Sequence, residues 1–176
     1  MLKKHFTIRK SFMVFMSYFL FGALVSWWSI DRVYYKGPKF QAPETSEAIL
    51  LFREKCQKFK IDNICAQRFQ NLVRIDVTNG IWYQTSLNPD ITAIGLTEFS
   101  VFSPLTKISI DRRLLVDKVL FDTTVIHELG HAIFYLDHND EKLAIMNSFI
   151  SDEQLVGYRY ETLVDEMFKD FADSLK

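Results

Sequence analysis

The sequence predicts an α+β fold, a small mixed sheet packed on one long helix, preceded by a single N-terminal transmembrane helix. Three patterns carry that prediction. Residues 11–30 (SFMVFMSYFLFGALVSWWSI) are an uncharged run of 20, short stretches between 72 and 111 alternate apolar and polar residues, and residues 117–136 have helical content with Gly130 as the one interior breaker.

The 176 residues are 48% hydrophobic, and 21 Lys+Arg against 22 Asp+Glu leave a formal charge of -1, which excludes a disordered or polyanion-seeking chain. At a rise of about 1.5 Å per residue the apolar run makes a helix of about 30 Å, the thickness of a bilayer's hydrocarbon core. Lys3, Lys4, Arg9 and Lys10 precede it, so the positive-inside rule keeps residues 1–10 cytoplasmic and sends the remainder outward, periplasmic if the source is bacterial. Trp27 and Trp28 stand at the outer end, where interfacial aromatic rings belong. The competing reading is a signal peptide, cleaved to give a secreted protein, although signal-peptide apolar cores run only about 7–15 residues. Without those four cations, 17 cationic residues face 22 acidic ones, so residues 31–176 carry about -5. Nucleic acid is therefore not an expected partner; membrane lipid, through residues 11–30, is.

Residues 31–43 hold two prolines and a glycine and read as a juxtamembrane linker, which leaves residues 44–176 as one domain. Thr45 or Ser46 caps a helix over about 46–60, with Ala48, Leu51, Phe52 and Phe59 as its apolar side. Leu72–Thr78 alternates as a half-buried strand, and Asn79-Gly80 predicts a hairpin turn into residues 81–85. Residues 91–99 and 107–111 are further strands, separated by a loop with Pro104. A last helix over about 151–172 carries Leu155, Leu163, Met167, Phe168 and Phe171 at helical spacing. Cys56 and Cys65 either form one disulfide or remain free thiols.

Three of the four histidines, His127, His131 and His138, fall within twelve residues. His127 and His131 lie four apart on a helix, about 40° apart on one face, so their imidazoles can converge on one ion. Neutral imidazole suits Zn2+, whose catalytic sites use three protein ligands and keep a fourth position for water. Glu128 is placed to act as general base on that water. The opposite face, with Val125, Leu129, Ala132 and Ile133, packs the helix into the core.

The stretch HELGHAIFYLDH resembles the zinc-binding segment of metzincin-type, matrixin-like zinc metalloproteases. The resemblance covers roughly residues 90–170 and points to small bacterial members with a longer third-histidine spacing. It implies a zincin-like fold and a membrane-anchored zinc metalloendopeptidase, with a peptide or protein as substrate. The chain departs from the family in two places. Phe134 stands where the family's helix-ending glycine is expected, and His138 comes seven residues after His131 instead of six, where Asp137 stands. His138 is the expected third ligand and Asp137 its competitor. Ala144-Ile145-Met146-Asn147 resembles the metzincin Met-turn, with Met146 as an apolar floor beneath the metal. The strand at 91–99 would be the edge strand above the cleft, and Tyr158 or Tyr160 would be an oxyanion donor. Two other readings use the same residues: a gluzincin with Glu161 as third ligand, from the spacing Glu161-x-x-x-Asp165, and a non-catalytic, membrane-tethered zinc-binding interaction module.

Overall fold

The structure is a computed structural model that describes residues 40–82, 92–101, 103–140, 144–148 and 157–176. The apolar run at 11–30 lies outside them, and among the described residues no helix is long and apolar enough to cross a membrane. The fold is mixed α+β. In order come β1 (Phe40–Gln41), α1 (Ser46–Lys58), α2 (Asp62–Phe69), β2 (Leu72–Thr78), β3 (Ile81–Trp82), β4 (Thr92–Ala93), β5 (Gly95–Phe99), β6 (Thr106–Asp111), α3 (Lys118–Leu129) and α4 (Gly157–Ser174).

Four strands form one sheet in the order β1-β2-β6-β5, the first three parallel and β5 antiparallel on the edge. Parallel strands need long crossovers, and α1 and α2 supply the one between β1 and β2. Central position explains the composition of β2 and β6: Leu72, Ile75, Ile108 and Ile110 are fully buried, and Ile75 pairs with Ile108 and Val77 with Ile110. Phe52, Phe69, Phe134, Phe168 and Phe171 fill the space between the helices, with Phe134 and Phe171 stacked 4.1 Å apart. Cys56 and Cys65 are joined as a disulfide that ties α1 to α2.

Local sequence explains the helix starts. Asp117 accepts a hydrogen bond from the Leu120 N–H at 3.0 Å and caps α3. Buried Asp111 receives the Arg113 backbone N–H at 2.8 Å and pairs with its guanidinium, which closes β6 into the 3₁₀ turn Arg112–Val116. The Arg113 hydrogen bond outweighs burial and holds the Asp111 carboxyl below its ordinary range. Across the domain, Lys55 and Lys58 of α1 both bond Asp165 of α4.

The structure departs from the sequence reading in several elements. The hairpin across Asn79-Gly80 does not form: β2 pairs in parallel with β6 along its length and with β1 at Arg74 and Ile75, and β3 pairs with β4 in a separate two-stranded ribbon. Sheet structure begins at Phe40, inside the stretch read as linker, with Gln41 paired to Ile75. Thr45 and Ser46 make no cap bond to α1; their hydroxyls instead donate backward, to the carbonyls of Ala42 and Pro43. The buried face of α1 is Ala48, Ile49, Phe52 and Cys56, while Leu51 and Phe59 sit at its margin. The strand read over 91–99 is described as two pieces, β4 and β5, separated at Ile94.

Candidate metal centre

α3 is buried on nearly every side, from Thr123 to Leu129, as expected of a helix with apolar residues around most of its circumference. At Gly130 the hydrogen-bond pattern widens, and Gly130–Phe134 forms a π-helical turn. Such a turn accommodates one more residue than an α-turn. It ends at Tyr135, which adopts the left-handed conformation (φ 57°) and directs its N–H to the carbonyls of Gly130 and His131. The seven-residue spacing from His131 to His138 is thus spanned by a widened helix end and a left-handed turn at Tyr135. The left-handed backbone costs a non-glycine residue about 1 kcal/mol or more. Contacts of the ring offset it: the Arg68 guanidinium lies 4.7 Å from its centre and Phe99 packs 6.0 Å away. Arg68 also donates to the Ile133 carbonyl at 2.8 Å, satisfying one acceptor of the helix end.

This geometry brings His127, His131 and His138 together. Their Nε2 atoms are 3.0, 3.2 and 3.3 Å apart. A carbonyl oxygen can only accept, so the Ile145 carbonyl 2.7 Å from His127 Nδ1 and the Leu136 carbonyl 2.5 Å from His131 Nδ1 place the protons on Nδ1. The Nε2 lone pairs of these two rings then face one point. Burial drives His127 down to about 4, against its bond to Ile145, and lowers His131 in the same way. Converging neutral acceptors repel one another unless a cation lies among them. Tetrahedral zinc with bonds of about 2.0–2.1 Å needs its nitrogens about 3.3–3.4 Å apart, close to the spacing found. The three histidines can therefore hold a metal ion.

Neither Asp137 nor Glu161 joins the group. Asp137 is exposed and lines a cavity of about 230 Å³ together with Leu136, Met146 and Met167. Glu161 is exposed on α4. Met146 lies beneath α3, where a Cβ on Gly130 would come within 2.6 Å of its sulfur. The turn that holds it, closed by Asn147 N–H to the Ala144 carbonyl, also supplies the Ile145 carbonyl to His127. Tyr160 is raised above its ordinary value by burial and then by the charges of Asp122 and Glu161, and its hydroxyl has no partner among the described residues. Tyr158 is in the first turn of α4. Asp140 accepts from the Ser148 N–H and hydroxyl at 2.6 and 2.7 Å, bonds that hold its carboxyl below the ordinary value, with a smaller contribution from His138.

Glu128 is buried, and burial lifts its carboxyl to about 7, against a hydrogen bond from Thr97. The Thr97 hydroxyl lies 2.6 Å from Glu128 Oε2 and 3.0 Å from the Glu128 carbonyl. Gly95, two residues earlier on β5, is so close that a Cβ would come within 2.4 Å of Glu128 Oε1. Gly95, Thr97 and Arg68 carried no motif signal in the sequence; only the position of β5 on the edge and of α2 beside the helix end reveals them. Comparison with protein-family models, with curated proteins and with solved structures returned no match.

Proposed function

We propose that the chain is a zinc-dependent metallopeptidase of metzincin-like, zincin-type architecture, in which His127, His131 and His138 hold the metal and Glu128 is the general base. The observation that carries this reading is the convergence of three Nε2 atoms within 3.3 Å, beside a buried carboxylate on the same helix. Bound zinc would supply a Lewis acid that polarises the scissile carbonyl and acidifies water. Glu128, with a carboxyl lifted toward neutrality by burial, takes a proton from the attacking water and passes it to the leaving amine. The Ile145 and Leu136 carbonyls orient two of the imidazoles, and the Met146 turn holds one of those carbonyls in place. β5, the edge of the sheet among the described residues, can pair with an extended peptide substrate.

A purely structural zinc site would require a fourth protein ligand. Among the described residues no fourth His, Cys, Asp or Glu joins the three, and both cysteines are in the disulfide, which favours the catalytic reading over an interaction module. The apolar run at 11–30 supports a membrane anchor with the domain on the outer face.

The test is zinc content and peptide hydrolysis for the full chain in detergent, wild type against Glu128→Ala. The variant is expected to keep one zinc per chain and lose hydrolysis. Retention of both zinc and hydrolysis would remove Glu128 from the mechanism.

A further inference from the structure

We propose that Gly95 and Thr97 of the edge strand β5 form a socket that aligns the Glu128 carboxylate for proton transfer, so that the strand that offers its edge to a peptide also positions the base. Residues two apart on a strand share a face, and this pair meets α3 where Glu128 emerges. The two contacts divide the carboxylate between them. Oε2 lies 2.6 Å from the Thr97 hydroxyl, a short hydrogen bond. Oε1 lies against the Gly95 Cα, where a Cβ would approach to 2.4 Å from Oε1 and 2.9 Å from Cδ. A hydroxyl has one proton, and the shorter contact, to Oε2 rather than to the Glu128 carbonyl at 3.0 Å, takes it. Oε2 is thereby occupied, and Oε1 is the oxygen left to receive a proton. A Cβ at position 95 would displace Oε1 and also meet Thr124 Cγ2 at 2.8 Å, and a side chain with no hydrogen-bond donor at position 97 cannot hold Oε2. The pair are positioning residues: Thr97 acts through its hydroxyl and Gly95 through its missing side chain on the Glu128 carboxylate, while a peptide would meet the backbone edge of β5.

This inference rests on the peptidase reading, and the experiment separates the two. Zinc-loaded full chain in detergent is first assayed on a panel of quenched fluorescent peptides. The best cleaved is then used for kcat, KM and zinc content of Thr97→Val, Thr97→Ser and Gly95→Ala, each checked for folding by circular dichroism. Groups that orient a reacting or ligating residue typically change activity about 10–100-fold when lost. Thr97→Val is expected to lower kcat by that amount with KM and zinc content unchanged, Thr97→Ser to restore kcat to within a few-fold of wild type, and folded Gly95→Ala to lower kcat as Thr97→Val does. A Thr97→Val kcat within twofold of wild type, a loss that follows zinc content, or a loss that serine does not rescue would overturn the socket and leave the peptidase reading intact. Absence of cleavage by the zinc-loaded wild type would overturn the peptidase reading, and the socket with it.

Discussion

His127 and His138 bring the same atom to the same point, and they are held there in different ways. His127 sits on a buried helix, 6% exposed, with its Nδ1 proton given to the Ile145 carbonyl. His138 is exposed on the irregular segment after Tyr135, where its ring meets the other two imidazoles and lies within electrostatic reach of Asp140. The helix therefore presents a preorganised pair, His127 and His131, while the third ligand arrives on a loop. The contrast is one of burial: His127 is held by a buried helix and a hydrogen bond from its own ring, whereas His138 keeps an exposed ring on a segment anchored next door by the Asn139 N–H to the Met146 carbonyl at 2.8 Å.

The largest effect is expected from the buried member. Loss of a group that merely orients a ligand costs about 10–100-fold in metal affinity, so His127→Ala should cost more than about 100-fold, measured by zinc titration against a competing chelator. His138→Ala should cost less than His127→Ala, because its ring is exposed whereas that of His127 is buried and oriented by the Ile145 carbonyl. Asp137→Ala should leave the affinity unchanged, since Asp137 lines the cavity beside Met146 and Met167 and does not join the histidines. Equal losses from His127→Ala and His138→Ala would erase the contrast, and a loss from Asp137→Ala would reassign the third ligand.

A smaller effect belongs to the packing of Met146 against the turn that carries His131. Gly130→Ala pushes a methyl to within 2.6 Å of the Met146 sulfur and 3.3 Å of the Met167 sulfur. Overpacking of this kind costs about 1–3 kcal/mol, read as a lower thermal midpoint of the zinc-free chain. If Met146 instead swings aside at no cost, the midpoint will not move and the packing is softer than the contact implies.

The smallest effect tests a region remote from the metal. Burial raises the Asp165 carboxyl, but hydrogen bonds from Lys55 and Lys58 outweigh it and leave the group below its ordinary value. A depressed carboxyl stabilises the fold above its unfolded-state value of about 3.9 and loses that contribution as pH falls through the folded-state value. Asp165→Asn should therefore lower stability by up to about 1 kcal/mol at pH 7, with the difference from wild type vanishing in acid, and leave zinc affinity unchanged. A change in zinc affinity would show that α4 and the metal site are coupled.

The candidate site was legible in the sequence to the extent that its chemistry is local. His127, Glu128 and His131 belong to one helix, whose period fixes their common face, and His138 is near enough in the chain for its type and spacing to speak. The π-turn was not legible: an extra residue before His138 and a phenylalanine in the glycine's place mark a departure, but not that the helix widens and that Tyr135 takes the left-handed turn. The strands at 72–78 and 107–111 were legible as strands, yet their partners were not. Asn79-Gly80 is a local turn signal, and it lost to the parallel pairing of β2 with β1 and β6, residues distant in sequence. Gly95 and Thr97 are ordinary strand residues until the edge of the sheet brings them to Glu128.

X-ray absorption at the zinc edge on the zinc-loaded full chain tests the central claim most directly. The account predicts one zinc per chain with three imidazole nitrogens at about 2.0–2.1 Å and one light oxygen ligand from water. A carboxylate in place of the third imidazole, a fourth protein ligand, or no stoichiometric zinc at all would contradict it.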